Sequence, residues 1–222
     1  MDVIAPTSLG PGRLVLDPAD APVAVLWSGH GAGGGIEARD LTALAARLPG
    51  LGITVIRHEQ PWRAAGRRVA PRPAALDVAW LDTLSQVREL AGQLPLVVGG
   101  RSAGARVACR TAAATGAAAV VCLAFPLHPP NNPARSRLAE LLLPRVPTLV
   151  LQGERDSFGT AAELTAELAQ YVPGTGRIRV VAVPDADHGM KVRASSALGS
   201  DGVAALLASS VGDFIHGVAL AG

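Results

Sequence analysis

The feature that most constrains the fold is a serine placed between an apolar run and a helical segment. Residues 96–106 read Leu-Val-Val-Gly-Gly-Arg-Ser-Ala-Gly-Ala-Arg, so β-forming side chains lead into a Gly-x-Ser-x-Gly turn and a helix former follows. This spacing predicts a turn so tight that a side chain two residues before or after the serine would collide with its neighbours. We therefore expect Ser102 at the end of a strand, beside the first backbone N–H groups of a helix, which favour negative charge.

Apolar segments alternate with helical segments along the rest of the chain. Strands are predicted at 13–16, 23–27, 53–56, 96–99, 118–125, 147–151 and 178–183, and helices at 37–48, 76–90, 103–115, 134–143, 160–171 and 201–216. Residues 57–62 lead from the strand at 53–56 into an arginine- and proline-rich stretch that runs to Pro73 and predicts a long surface loop. Residues 1–20 carry little pattern beyond the strand at 13–16. Wholly apolar strands separated by helices predict an α/β fold with a mostly parallel sheet, helices on both faces and no cap domain.

Composition excludes several classes of protein. The 222 residues suit one domain, 1–222, whose core is built mainly from Ala, Val and Leu because only 3% of residues are aromatic. The net charge of +2 comes from scattered arginines, with Lys191 the only lysine, so we expect no nucleic-acid partner. A basic leader and an uninterrupted run of 18 apolar residues are both missing, so we expect a cytoplasmic protein without a membrane segment. Cys109 and Cys122 are predicted to be buried free thiols, and no cofactor is expected.

Three residues that follow predicted strands could act together in nucleophilic catalysis. In parallel sheets ligands bind beyond the carboxyl ends of the strands, and Ser102, Asp156 and His188 each come just after a strand, in that chain order. A serine hydroxyl is a poor nucleophile, so His188 would take its proton during attack and pass it to the leaving group. Asp156 would fix the histidine tautomer and stabilise the imidazolium.

A tetrahedral intermediate also needs hydrogen-bond donors for its oxyanion. The backbone N–H of Ala103 is one candidate, and the N–H of Ala32, in the glycine-rich turn after the strand at 23–27, is the other. Residues predicted to line the substrate pocket are His30, Gly31, Gly33, Arg101 and His128. Arg101 and Arg106 could bind an anionic group of the substrate, although solvated arginines would explain them equally well.

Each assignment has an alternative. Ser102 could be an ordinary helix N-cap, and Asp156 could form an Asx turn before the helix at 160. The competing side chains are Glu154 for the acid, and His128 and His216 for the base. Asp185 and Asp187 beside His188 could suggest a metal site, but no second histidine accompanies them at ligand spacing, so we expect no metal.

The glycine-rich turn has an alternative of its own. Residues 29–34, Gly-His-Gly-Ala-Gly-Gly, satisfy Gly-x-Gly-x-x-Gly after a strand, and Glu59 ends the next strand, as in a dinucleotide fold. That interpretation leaves Ser102, Asp156 and His188 unexplained, so the serine mechanism is favoured.

Four longer strings carry a family resemblance. Residues 99–106 (Gly-Gly-Arg-Ser-Ala-Gly-Ala-Arg), 125–130 (Phe-Pro-Leu-His-Pro-Pro), 151–159 (Leu-Gln-Gly-Glu-Arg-Asp-Ser-Phe-Gly) and 185–188 (Asp-Ala-Asp-His) resemble a compact α/β-hydrolase family. That family includes a testis-expressed protein and a subunit of a histone-acetyltransferase regulatory complex, and it is similar in size to the dienelactone hydrolases. The resemblance implies the α/β-hydrolase fold and the triad positions but no substrate, and it leaves a non-catalytic binding or scaffold role open.

The short segment between the strands at 118–125 and 147–151 bears on specificity. Many α/β-hydrolases carry a lid at this place, whereas this chain has room for a single short helix. We therefore expect a shallow, open site without an acyl tunnel, which favours small or flexible esters, thioesters or peptides reached from solvent and a serine enzyme of the esterase or thioesterase kind. The oligomeric state is not predicted.

Overall fold

A computed structural model describes residues 1–130, 132–171 and 176–220; residues 131, 172–175 and 221–222 of the predicted single domain lie outside them. The strands are β1 (Asp2–Ala5), β2 (Gly12–Asp17), β3 (Ala24–Gly29), β4 (Ile53–Glu59), β5 (Leu96–Arg101), β6 (Ala119–Leu123), β7 (Thr148–Gly153) and β8 (Ile178–Val183). The helices are α1 (Arg39–Arg47), α2 (Pro61–Ala64), α3 (Pro73–Asp82), α4 (Leu84–Ala91), α5 (Ala103–Thr115), α6 (Leu138–Leu141), α7 (Ala161–Tyr171) and α8 (Gly199–Ala219).

The described strands form one sheet in the order β1-β2-β4-β3-β5-β6-β7-β8. β1 and β2 run antiparallel to their neighbours, and all pairs from β4 to β8 are parallel. The predicted mostly parallel sheet is confirmed. Because β5 lies at its centre, the carboxyl end of β5 is flanked by β3 and β4 on one side and by β6, β7 and β8 on the other.

Alternate side chains of each central strand supply two separate cores, as expected for strands covered on both faces. On one face Val25, Trp27 and Val98 pack with the helices from α3 to α7, and on the other Leu26 and Val97 pack with α1 and α8. Cys109 of α5 and Cys122 of β6 meet in the first core as free thiols with their sulfurs 3.5 Å apart. The prediction of buried free thiols is confirmed.

The predicted single helix at 76–90 is wrong: α3 and α4 are separate helices joined at Thr83. The Thr83 hydroxyl donates to the carbonyl oxygen of Trp80 at 2.8 Å, and the Thr83 backbone N–H also donates to that oxygen at 3.2 Å. A threonine that bonds the preceding turn in this way competes with the regular helical pattern. α3 packs against α5, whereas α4 contacts β3.

Other differences lie in segments with weak patterns. β1 was not predicted, because it is a short edge strand that leaves Ile4 71% exposed. The segment 57–73 is not a loop throughout: β4 continues to Glu59 and α2 follows, with Trp62 buried. The predicted helix at 134–143 shrinks to α6, and no larger element covers the site between β6 and β7 in the described part of that segment.

The last helix is long and mainly apolar. By length and composition α8 could cross a membrane, although serine and aspartate residues interrupt its apolar sequence. Its side chains at Val203, Leu207, Val211 and Ile215 are buried in the second core, against α1 and the sheet. The apolar character of α8 is therefore used in packing on the sheet.

Candidate active site

Ser102 occupies a strained turn between β5 and α5. Its backbone has φ 52° and ψ −113°, a conformation that residues other than glycine rarely adopt. The Ser102 N–H donates to the carbonyl oxygen of Leu123 at 2.9 Å, which ties the turn to the end of β6. Strain of this kind persists only when surrounding contacts hold it, and it is concentrated at functional sites.

The two glycines of the motif are required by a close backbone approach. A Cβ atom on Gly100 or Gly104 would overlap the backbone of Gly29, at the end of β3. The predicted steric reason for the motif is thus observed, and the colliding neighbour is the strand that leads into the glycine-rich turn. Ser102 is held beside that turn as a result.

The side chains of Ser102, His188 and Asp156 form one hydrogen-bonded chain. The Ser102 hydroxyl lies 2.9 Å from His188 Nε2, and His188 Nδ1 lies 2.8 Å and 3.0 Å from the two oxygens of Asp156. Because a carboxylate only accepts, the hydrogen belongs on Nδ1, which leaves Nε2 free to accept from the serine. This arrangement can remove a proton from Ser102.

The Asp156 carboxylate is buried and has further donors. Gln152 Nε2 donates to one oxygen at 3.0 Å, and the backbone N–H of Phe158 donates to the other at 2.8 Å. The Phe158 ring stacks on the imidazole of His188 with centroids 4.1 Å apart. These contacts hold both the carboxylate and the imidazole plane, and Gln152 and Phe158 were not predicted as site residues.

The loop that carries His188 is fastened to the end of β7. A Cβ on Gly153 would overlap the carbonyl of Ala186, so only glycine allows this approach, and the Arg155 N–H donates to the same carbonyl at 2.9 Å. Within the loop, one Asp187 oxygen accepts from the backbone N–H groups of Gly189 and Lys191 at 2.8 and 2.9 Å. Asp187 thus shapes the turn that presents His188.

Arg101, predicted to line the substrate pocket, is held by two polar contacts and is not among the residues that line the slot described below. Its Nε donates to Asp40 of α1 at 2.8 Å, and a terminal nitrogen donates to the carbonyl of His188 at 2.7 Å. Burial raises the pKa of the Asp40 carboxyl, and the charge of Arg101 offsets part of that rise. The reason is local: β5 aims this side chain toward α1, where the buried carboxylate needs a cation.

The glycine-rich turn after β3 is held by His30. Its Nδ1 donates to the carbonyl of Gly31 at 2.8 Å, and its Nε2 accepts from the N–H of Gln60 at 3.1 Å. Burial lowers the pKa of His30, so the ring is kept neutral with both nitrogens engaged. His30 therefore links the turn to the end of β4 and is unsuited to act as a base.

A narrow slot runs from the turn past the first residues of α5. The predicted donors Ala32 and Ala103 line it, together with His30, Gly31 and an apolar wall that includes Trp62. Its free volume is about 10 Å³, room for a single water molecule. In the part of the chain that the structure describes, the N–H groups of Ala32 and Ala103 have no acceptor. They are thus available to a ligand oxygen.

Two predicted pocket residues lie outside this slot. His128 is buried, with Nδ1 donating to the carbonyl of Pro129 at 2.9 Å and its backbone N–H donating to Phe158 at 3.0 Å. It therefore supports the residue that stacks on His188. Gly33 is at the tip of the glycine-rich turn, with no atom within 4 Å of an added Cβ.

The other side chains considered for the acid and the base have partners of their own. Glu154 accepts from the N–H of Asp185, and His216 donates to the carbonyl of Leu51, near the amino end of β4. Glu59 pairs with Arg13 at 3.0 Å. Among residues 1–130, 132–171 and 176–220, no group of three or more His, Cys, Asp or Glu side chains is placed to hold a metal ion.

A stack of aromatic rings lies beneath the slot. Trp27 and Trp80 are parallel with centroids 3.6 Å apart, and His58 stacks 5.3 Å from Trp80. Both nitrogens of His58 lack a partner within the described residues, and burial lowers its pKa to about 3. The stack gives the β4 side of the site a rigid apolar floor. The sequence analysis missed it, because its members are far apart in the chain.

Comparison with known proteins supports this architecture. The sequence model of the family described as "Alpha/beta hydrolase domain" matches residues 22–216, which includes every residue of the hydrogen-bonded chain. No curated protein sequence matches the chain.

Solved structures of similar fold come from several bacteria. An alpha-beta serine hydrolase homologue from Coxiella burnetii is 17% identical, with a TM-score of 0.76 over 95% of this chain and 97% of that one. A serine hydrolase without a lid from Xanthomonas campestris is 20% identical, with a TM-score of 0.74 over 96% and 94%. The esterase domain of a Rhodothermus marinus protein is 16% identical, with a TM-score of 0.67 over 96% of each chain. At these identities the similarity concerns the fold.

Proposed function

The chain belongs to the alpha/beta hydrolase family, and from that premise we propose that it is a serine esterase that forms an acyl-enzyme on Ser102. The hydrogen-bonded chain from Ser102 through His188 to Asp156 is the observation that carries the proposal. The four sequence strings also support a closer kinship with the compact family that includes the testis-expressed protein, which we propose as well.

The first half of the reaction transfers the acyl group to the enzyme. Ser102 Oγ attacks the ester carbonyl carbon while its proton moves to His188 Nε2. The carbonyl oxygen becomes an oxyanion that accepts hydrogen bonds from the N–H groups of Ala32 and Ala103, each worth about 3–4 kcal/mol of transition-state stabilisation. The proton on Nε2 then passes to the leaving alcohol as the bond between carbonyl carbon and alcohol oxygen breaks.

The second half releases the acid. Water gives a proton to His188 Nε2 and attacks the acyl carbon, and Ser102 Oγ recovers that proton as the acyl bond breaks. Asp156 accepts the hydrogen bond from His188 Nδ1 and stabilises the imidazolium in both halves, while Arg101 acts as a positioning residue through the carbonyl of His188.

Substrate size follows from the surroundings of Ser102. The segment between β6 and β7 supplies only the short helix α6, and the slot beside Ala32 and Ala103 is narrow. We therefore propose small or solvent-accessible esters, or thioesters, as substrates. We expect no tunnel that encloses the whole acyl chain.

Intact mass after incubation with a small fluorophosphonate tests the proposal. We expect one adduct on the native protein and none on Ser102→Ala or on a heat-unfolded sample, because only an activated serine reacts. Hydrolysis of p-nitrophenyl acetate should show the same dependence on Ser102. No adduct on the folded protein, or an equal adduct on Ser102→Ala, would overturn the proposed mechanism.

A further inference from the structure

A second, larger cavity adjoins the slot on its β4 side. It has a volume of about 610 Å³ and lies between the turn joining β1 to β2, the residues that follow β4, and α3. Gln60, Trp62 and Ala70 line both this groove and the slot beside Ala103. The slot and the groove are therefore neighbours that share these three residues as a common wall.

The walls of the groove are mainly apolar, and two of their residues are unusually exposed. Val69 is 82% exposed and Leu9 is 50% exposed, and Pro11, Pro71 and Ala75 continue the surface between them. Large apolar side chains left in contact with solvent around a concave surface are typical of a ligand site.

Three arginines at this groove are free of ion pairs. Arg67 lines it, and Arg68 and Arg72 flank the lining residues 69–71; all three are exposed, and none pairs with a carboxylate within the described residues. Arg13, Arg57, Arg101, Arg106, Arg110 and Arg155 each pair with Asp or Glu. Exposed Arg145 also has no carboxylate partner among the described residues, so what distinguishes the three arginines is that they are grouped along one groove. The groove thus combines apolar walls with uncompensated positive charge.

The sheet order indicates which half of an ester would lie there. His188 follows β8 and gives its proton to the leaving alcohol, so the alcohol lies on the β6-to-β8 side of Ser102. The groove begins after β4, on the opposite side of β5. The leaving alcohol therefore lies away from the groove, and the acyl group, which stays on Ser102, is the half of the ester that can face it.

We propose that the groove binds the acyl chain of the substrate and that this chain ends in an anionic group, such as a carboxylate, recognised by Arg67, Arg68 and Arg72. This inference rests on the proposed function for the direction of the acyl group. It makes the substrate an ester of an extended, amphipathic acid. The chain lies in an open groove beside the narrow slot.

Two esters that differ only in terminal charge test the proposal. We compare mono-p-nitrophenyl octanedioate, which has a free carboxylate, with its neutral methyl ester. In low salt we expect kcat/KM to be about fivefold to tenfold higher for the anion, since exposed ion pairs are individually weak and act together. At 0.5 M NaCl the ratio should fall toward one. Arg67→Gln/Arg68→Gln should reduce it below about twofold without changing the rate on p-nitrophenyl acetate.

A matched variant and a binding measurement complete the design. Arg145→Gln removes the same charge at an exposed site near the amino end of β7 and should leave the ratio unchanged. Binding to Ser102→Ala is followed by tryptophan fluorescence, with monomethyl octanedioate expected to bind more tightly than dimethyl octanedioate. Equal binding of the two would overturn the groove proposal whether or not the protein is a hydrolase. If the native protein hydrolysed p-nitrophenyl acetate no faster than Ser102→Ala does, the proposed function would be overturned instead.

Discussion

The two sides of Ser102 are held by different kinds of contact. On the side of β7 and β8, His188 is fixed by directional polar contacts, with Asp156 on its ring and Arg101 on its carbonyl. On the side of β3 and β4, the glycine-rich turn rests on stacked rings, where Trp27 and Trp80 lie 3.6 Å apart and His58 has no hydrogen-bond partner among the described residues.

The difference follows from what each side has to do. Proton transfer requires two atoms at hydrogen-bond distance and in the right direction, which only hydrogen bonds and ion pairs define. Presenting backbone N–H groups and an apolar wall requires close packing, for which stacked rings and glycines suffice. Removing a hydrogen-bond or ion-pair partner should therefore disturb the His188 side most. The side of the glycine-rich turn should respond most to a change in side-chain volume or to a charge on one of its buried rings.

The largest expected effect comes from removing the base. His188→Ala should lower kcat/KM on p-nitrophenyl acetate by about 10⁴-fold or more, because Ser102 then has no acceptor for its proton. The double variant Ser102→Ala/His188→Ala should be no slower than either single variant, since the residues act as a unit. Losses that multiply in the double variant would contradict a shared mechanism.

The contact between Arg101 and Asp40 allows activity and stability to be separated. Arg101→Met leaves the buried Asp40 carboxylate unpaired, which should lower the free energy of unfolding by about 3–5 kcal/mol, and should lower kcat by about 10- to 100-fold with little change in KM.

Adding Asp40→Asn to Arg101→Met removes the buried charge. Stability in urea should then recover substantially, while kcat stays low because the His188 carbonyl still lacks its donor. Recovery of kcat along with stability would mean that Arg101 serves only the fold.

The aromatic side should respond to pH through His58. Its pKa is about 3 in the folded protein and about 6.5 when unfolded, so below pH 6.5 only the unfolded chain takes up the proton. Stability is therefore fully present above pH 6.5 and is lost as pH falls toward 3, by about 2–3 kcal/mol between pH 7.5 and 4.5. Urea unfolding of His58→Phe across this range should show a shallower dependence. An unchanged slope would show that His58 gains its proton in the folded state.

The smallest expected effect concerns the glycine-rich turn. A Cβ on Gly31 would lie 2.9 Å from an Arg101 nitrogen and 3.2 Å from the Cβ of Ser102, whereas one on Gly33 meets nothing within 4 Å. Gly31→Ala should lower kcat by about 10-fold by displacing the nucleophile, and Gly33→Ala should change it less than about twofold. Equal rates for the two variants on p-nitrophenyl acetate would show that the turn yields to the added methyl group.

Local patterns were enough to predict the elements that hold the reacting groups. Apolar strands ending in Ser102, Asp156 and His188 predicted that these residues would come together, because parallel strands bring their carboxyl ends to one edge. The tight turn at Gly100 and Gly104 was also predicted from its sequence. Each of these patterns involves residues that are close in the chain, and in the structure the three side chains lie within hydrogen-bond distance of one another in sequence from Ser102 to Asp156.

Contacts between distant segments could not be predicted in the same way. Asp40 lies 61 residues before Arg101, and the residues next to each of them in the chain give no indication of their ion pair. Arg101 was therefore predicted to line the pocket. The stack of Trp27, His58 and Trp80 joins three elements whose patterns indicate only burial. The helix break at Thr83 depends on a rotamer, which amphipathic spacing does not specify.

The two buried thiols in the first core can be used to detect the separation of α5 from β6. Cys109 and Cys122 are fully enclosed, so neither sulfur is accessible to a reagent in the native state, and their mutual hydrogen bond and burial also raise the pKa of Cys109. An aromatic disulfide added to the solution can react only with molecules in which α5 has separated from β6. The rate at which colour develops would then measure how often the helix that carries the nucleophile leaves the sheet.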